Sequence, residues 1–206
     1  MMPDTLTTPD SRTLEILMSI KSAFEQKGFD GASMQDLARA AGMSVGNFYR
    51  YFASKDAIIA AMVELDLRDL AETFREIRSS PDPRAAFLAA IRREILVHGE
   101  SCDGSLWAEI EAVASRRPEI GRITERMEKE VLAYLLETFA LIAGRPLGEM
   151  SERFAEHARL IVIIFKGTAI QPNVTPALVD LAVATVATLL DRIVAAATPA
   201  PSIPKA

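Results

Sequence analysis

Between Ser33 and Lys55 the chain reads SMQDLARAAGMSVGNFYRYFASK, and its helix-start and helix-stop signals leave little choice of local structure. Ser33 with Asp36 three residues on has the pattern of a capping box, in which the hydroxyl accepts a bond from a first-turn amide and the carboxylate reaches back to the cap's own N–H. Gly42 supplies the left-handed backbone that a helix ending at Ala41 needs, and Ser44 can cap the next helix. The stretch therefore predicts two short helices around a tight turn, with a third helix starting at Ser54. On the helix from Val45 to Phe52, a rotation of about 100° per residue sends Phe48, Phe52 and Tyr51 to one side and Gly46 and Arg50 to the other. Asn47 and Tyr49 flank that outer face. It offers a guanidinium, an amide, a phenol and bare backbone, a set suited to phosphates and base edges. A helical glycine costs about 1 kcal/mol relative to alanine, so Gly46 marks a place that something must approach closely.

The charge pattern points to the same partner. From Leu37 to Lys55 there are three bases, Arg39, Arg50 and Lys55, and no acid, in a chain whose formal net charge is −5. An acidic protein with a local basic island binds nucleic acid by position and shape rather than indiscriminately. The candidate DNA-contacting residues are Ser33, Gln35, Ser44, Val45, Gly46, Asn47, Tyr49, Arg50 and Lys55.

At Ala41-Gly42-x-Ser44-x-Gly46-x-Phe48-Tyr49-x-Tyr51-Phe52-x-Ser54-Lys55 the sequence resembles the DNA-binding signature of the tetracycline-repressor-like (TetR) family of bacterial transcription regulators, with the likeness covering residues 12 to 60. The resemblance implies a helix-turn-helix whose second helix lies in the major groove of double-stranded DNA, with Tyr49 and Lys55 on phosphates. Val45 stands where the family often has a lysine, so an apolar contact, as to a thymine methyl, replaces a phosphate contact there.

The 206 residues are half hydrophobic, enough for one large or two small cores. Residues 11 to 27 place Ile16, Leu17, Ile20, Ala23 and Phe24 on one stripe that stops at Gly28. From Ser54 a longer helix runs to Ser79, with Pro81-Asp82-Pro83 as its stop, and forms a natural lever between two domains. Breaks at Cys102-Asp103-Gly104, Pro118, Gly144-Arg145-Pro146 and Gln171-Pro172-Asn173 leave room for five more helices. Phe87, Ile91 and Ile95 form one stripe, Leu106, Ile110 and Val113 a second, and Ile120, Ile123, Met127 and Leu135 a third. No run alternates with period two, so the expected class is all-α. The expected architecture is an N-terminal three-helix helix-turn-helix domain over 11–58 and a larger helical bundle over 59–197, about nine helices in all, with disordered tails at 1–10 and 198–206. No apolar run reaches the ~20 residues that a membrane span requires, and a single cysteine fits a reducing compartment, so a cytoplasmic protein is expected.

The last helices are apolar on more than one side, which calls for a partner. Phe154, Ile161, Phe165, Leu178, Val186, Leu189 and Ile193 are the candidate seam of a four-helix homodimer interface, an assembly that the family resemblance also implies. Trp107 and Glu111, one turn apart, set an aromatic ring and a carboxylate on the same side of a helix. With His98, Ile110 and Met127 they form the candidate contact set for a small-molecule effector, unless Trp107 is a core residue beside a solvated acid. The chain has no phosphate loop, no HExxH, no paired CxxC and no nucleophile elbow, so neither catalysis nor a cofactor is expected. The cluster of His98, Glu100, Cys102 and Asp103 lacks a recognised metal-ligand spacing. The leading reading is a ligand-responsive transcription regulator, in keeping with the family a repressor, that binds a palindromic operator as a homodimer. The alternatives are a constitutive or architectural DNA-binding dimer with a solid core, and a helical enzyme or binding module without DNA activity.

Overall fold

The structure is a computed structural model, and it describes residues 11–100, 103–171 and 174–197, without the side chains at 25, 98–100, 103–105 and 169. Cys102 and the tails expected at 1–10 and 198–206 lie outside the described residues. Those residues form nine α-helices and no strand, in agreement with the periodicity: α1 (Ser11–Gly31), α2 (Met34–Ala40), α3 (Val45–Tyr51), α4 (Lys55–Ser79), α5 (Pro83–Glu100), α6 (Asp103–Ala114), α7 (Pro118–Ala143), α8 (Leu147–Ala169) and α9 (Pro176–Ala197). The stop expected at Gly28 appears as a break inside α1, where the backbone turns to φ 69° and ψ 166°. Ser54 caps α4 by accepting from Ala57 N–H at 3.2 Å, and Asp82 caps α5 by accepting from Ala85 N–H at 2.9 Å. Among the described residues no single helix is long and apolar enough to cross a membrane.

The chain divides into two compact units, one drawn from Met1–Leu70 and Ser101–Lys129, the other from Ala71–Glu100 and Glu130–Ala206. This grouping differs from a division at 58/59, and apolar burial is the reason. In the first unit Leu106, Ile110 and Val113 of α6 and Ile120 of α7 share one core with Ile16, Leu17, Ile20 and Phe24 of α1, Leu37 of α2, Phe48 of α3, and Ile58, Ile59 and Leu67 of α4. The stripe on α6 thus finds its apolar partner among the N-terminal helices.

In the second unit Ile95 of α5 packs with Val179 and Ala182 of α9, and Ile91, Ile164, Phe165 and Val183 close around them. Phe74 stacks on Tyr134 with ring centroids 5.0 Å apart and touches Phe87 at 6.4 Å. Burial raises the Tyr134 phenol above its ordinary pKa, helped by the carboxylates of Glu130 and Glu137. Helices α5 and α9 are fixed antiparallel by two surface ion pairs, Arg84 to Asp191 at 2.8 Å and Arg92 to Asp180 at 2.5 Å. Exposed pairs of this kind contribute about 0–1 kcal/mol each, so they set register more than stability.

The second unit also relocates the apolar demand of the last helices. Phe154, Ile161, Val186 and Ile193 are buried within it, Val186 completely, while Phe165, Leu178 and Leu189 are half-buried. The seam drawn through these residues is therefore filled largely by the chain itself. Leu160 and Ile163 on α8, Ile170 just past its end and Leu181 on α9 stay exposed instead, Ile163 and Leu181 at 64% each.

Candidate nucleic-acid interface

The two short helices are fixed by the hydrogen bonds that their sequence calls for. Ser33 Oγ accepts from Asp36 N–H at 3.2 Å, and Asp36 Oδ2 accepts from Ser33 N–H at 3.0 Å and from the Ser33 hydroxyl at 2.6 Å. Lys27 Nζ adds a 2.5 Å bond to Asp36 Oδ1. The bond from Lys27 first, and those from Ser33 after it, hold the Asp36 carboxyl far below the usual carboxylate range. After α2 the chain turns at Gly42, whose φ is 64°. Ser44 then caps α3 by accepting from Asn47 N–H at 3.3 Å.

Helix α3 buries Phe48 alone, and Phe48 lies 5.6 Å from Phe52, the buried residue that ends the helix. Val45, Gly46, Asn47, Tyr49 and Arg50 are all exposed, as are Ser33, Gln35 and Ser44, so the outer face is free to meet a groove. Tyr51, expected beside Phe48 and Phe52, is 38% exposed instead. It sits about 60° round the helix from Phe48, at the edge of the single stripe that α3 can bury. A Cβ built on Gly46 meets nothing within 4 Å, so packing inside the chain does not require a glycine there.

Lys55 is less free than a phosphate-binding lysine needs to be. Its ammonium donates to the carbonyls of Phe29 at 2.7 Å and Asp30 at 3.0 Å and lies 4.9 Å over the Phe29 ring. Two of its three hydrogens are thereby engaged, and one is left for another acceptor. Two long-range contacts on this side of the head have no sequence signature. Glu109 of α6 accepts from Phe29 N–H at 2.5 Å, and Arg117 donates through one nitrogen to both carboxylate oxygens of Asp56, at 2.8 and 2.9 Å. The partners are 80 and 61 residues apart, beyond the reach of any local pattern.

The candidate effector residues do not gather around an opening. Ile110 is fully buried in the first unit's core, Trp107 and Met127 pack against that core, and Glu111 is exposed. The His98 side chain lies outside the described residues. A depression of about 190 Å³ between α4 and α7 is lined by Ala60, Val63, Glu64, Glu119, Arg122, Ile123 and Arg126, and it does not include Trp107. A wider one of about 570 Å³ in the second unit lies among Pro81, Arg84, Leu141, Ile142, Asp191 and Val194.

A rigidly capped helix pair presenting an exposed, basic second helix defines a helix-turn-helix DNA-binding protein. Residues 16–62 match the profile of the bacterial regulatory proteins, tetR family. The helix-turn-helix transcriptional regulator UidR of Escherichia coli K12 is 25% identical over 139 residues, which are 66% of this chain and 69% of that protein. An uncharacterized helix-turn-helix regulator from the dhlA 5′ region of Xanthobacter autotrophicus is 25% identical over 178 residues, 83% of this chain and 84% of that one. Among solved structures, Salmonella enterica GusR superposes with a TM-score of 0.70 at 21% identity, over 90% of this chain and 98% of its own. A TetR regulator of Haloarcula marismortui gives 0.71 at 17%, over 89% and 98%. At those identities the superpositions define the fold. With the profile and the related regulators, residues 16–62 form a tetR-type DNA-binding domain, and over most of its length the chain is similar to transcription regulators rather than to enzymes.

Proposed function

We propose that the chain is a ligand-responsive repressor that binds a palindromic operator as a homodimer and is released by a small molecule. The observation that carries this reading is the outer face of α3, where Val45, Gly46, Asn47, Tyr49 and Arg50 are exposed together on a helix capped by Ser44. A second chain is called for by the face left open on the second unit. Leu160, Ile163 and Gly167 follow one another along α8 at helical spacing with Ile170 just past its end, and Leu181, Ala184 and Thr188 do so along α9. The hydroxyls of Thr185 and Thr188 donate to Leu181 O at 2.8 Å and Ala184 O at 2.9 Å, so the polar groups on this side of α9 are already satisfied within the helix. Two such helix pairs meeting about a two-fold axis form a four-helix seam. A dimer of helix-turn-helix chains reads two half-sites about 34–36 Å apart.

A constitutive DNA-binding dimer is the second reading, and the packing of Trp107, Ile110 and Met127 into the core favours it. The test starts by selecting duplexes from a random pool with the full chain. Inverted repeats bound by two chains support the proposal, and asymmetric sites bound by one chain refute it. Small molecules that raise the melting temperature are then titrated against the selected complex. Binders that lower DNA affinity support the effector, whereas binders that never change it leave the constitutive dimer.

A further inference from the structure

The junction between the end of α1 and the start of α4 is held from outside the helix-turn-helix, and the holding groups converge on one residue. The backbone breaks at Gly28, and the next amide, Phe29 N–H, donates to Glu109 Oε2 at 2.5 Å. The Phe29 carbonyl accepts from Lys55 Nζ at 2.7 Å, and the neighbouring Asp30 carbonyl at 3.0 Å. The Phe29 ring is buried, stacks on Phe24 at 5.5 Å and lies beneath the Lys55 ammonium. A residue gripped on its N–H, its carbonyl and its ring has one position, and the ammonium bonded to it inherits that position.

We propose that Glu109 is a positioning residue for DNA binding, acting through Phe29 on Lys55. Lys55 is the first residue of α4 and closely follows α3 in the chain, so the direction of its remaining hydrogen is fixed relative to the recognition helix. Without Glu109, the Phe29 and Asp30 carbonyls lose their anchor and the ammonium moves with them. Two further features fit a built contact. A Cβ on Gly28 would lie 3.1 Å from Glu109 Oε2, a contact tight enough that the carboxylate would have to shift. Asp56, the residue after Lys55, takes both of its bonds from Arg117, just beyond α6, so the first turn of α4 is tied at two points. The sign of the effect separates this role from plain electrostatics. Removing a negative charge from a DNA-binding domain strengthens binding by charge alone, whereas the positioning role requires binding to weaken.

The experiment is a double-mutant cycle between residues 109 and 55, read by fluorescence anisotropy on a duplex selected by the wild-type chain, with melting temperatures alongside. Glu109→Ala should weaken binding about tenfold, within the range that contacting groups show in such cycles. It should also lower the salt slope by about one unit per subunit, as Lys55→Ala does. On the Lys55→Ala background the same change should have less than about a twofold effect. Glu109→Asp keeps the charge but falls short of the Phe29 amide and should resemble Ala. Glu109→Gln keeps an acceptor at full reach and should stay near wild type. If Glu109→Ala fails to fold, the Asp and Gln variants complete the cycle. Additive effects, or Glu109→Asp binding like wild type, overturn the proposal. A wild-type chain that selects no duplex refutes DNA binding itself.

Discussion

Gly46→Ala should make this protein more stable and poorer at binding DNA, and the two halves of that expectation come from different facts. Gly46 lies in α3, its φ is not positive, and a Cβ there meets nothing within 4 Å. Alanine therefore fits without strain and restricts the unfolded chain, a gain of about 0.5–1 kcal/mol. For a chain of this length the melting temperature should rise by about 1–4 °C. On DNA the added methyl stands on the outer face among Asn47, Tyr49 and Arg50 and holds the helix away from the base edges. Each good base contact is worth about 1–3 kcal/mol, so losing one should weaken a selected duplex by about 5- to 150-fold. Gly42→Ala is the control of opposite sign. Its Cβ also meets nothing, but its φ of 64° strains any other residue, by about 1–2 kcal/mol. Calorimetry and fluorescence anisotropy on the selected and a scrambled duplex measure both quantities. A Gly46→Ala protein that binds as tightly as wild type would refute the close approach. One that melts lower would refute the stability argument.

Asn47→Ala should reduce discrimination between the selected duplex and random DNA by about 1–3 kcal/mol, while Lys55→Ala should weaken both alike. Unchanged discrimination in Asn47→Ala removes it from base reading. Ile163→Asp and Leu181→Asp should give folded monomers in sedimentation, with stability within about 0.5 kcal/mol of a wild-type monomer, because both side chains are on the surface of the chain. Val186→Asp should fail to fold, since it places a carboxylate in a filled core; intact dimers for both surface variants would move the interface elsewhere. Acid should act through Asp36. Its folded pKa lies below its unfolded value, so its contribution is complete above the ordinary carboxylate pKa and is lost as pH falls below it. The acid limb of stability against pH should be shallower for Asp36→Asn, and an unchanged limb would show that the bonds to Lys27 and Ser33 do not bias that titration.

The parts of this molecule legible in the sequence are those fixed by neighbours in the chain. Ser33 with Asp36, Gly42, Ser44, Ser54 and Pro118 each place a helix boundary through a bond or a backbone angle within a few residues, and each boundary lies where the sequence puts it. The periodic stripes of α5, α6 and α7 are equally local. What a stripe covers is not. Helix α9 carries two apolar stripes, and only the packed chain shows that Val186 and Ile193 face inward while Leu181 faces out. The aromatic ring of Tyr51 looks like core by residue type but lies at the stripe's edge. Glu109 and Arg117 are surface-type residues with no periodic partner, and only the fold brings them to Phe29 and Asp56.

The first unit is discontinuous in the sequence, and this bears on the order in which it forms on the ribosome. Its core needs Leu106, Ile110, Val113 and Ile120, so the helices that read DNA are synthesised well before the residues that complete their interior. Roughly 60 residues separate Leu70 from Lys129, which at about 5–20 residues per second is a wait of about 3–12 s. During that interval the side of α1 that packs on α6 lacks its cover. The nascent head is then a substrate for chaperones and proteases, and it gains a closed core only once α6 and the start of α7 have emerged.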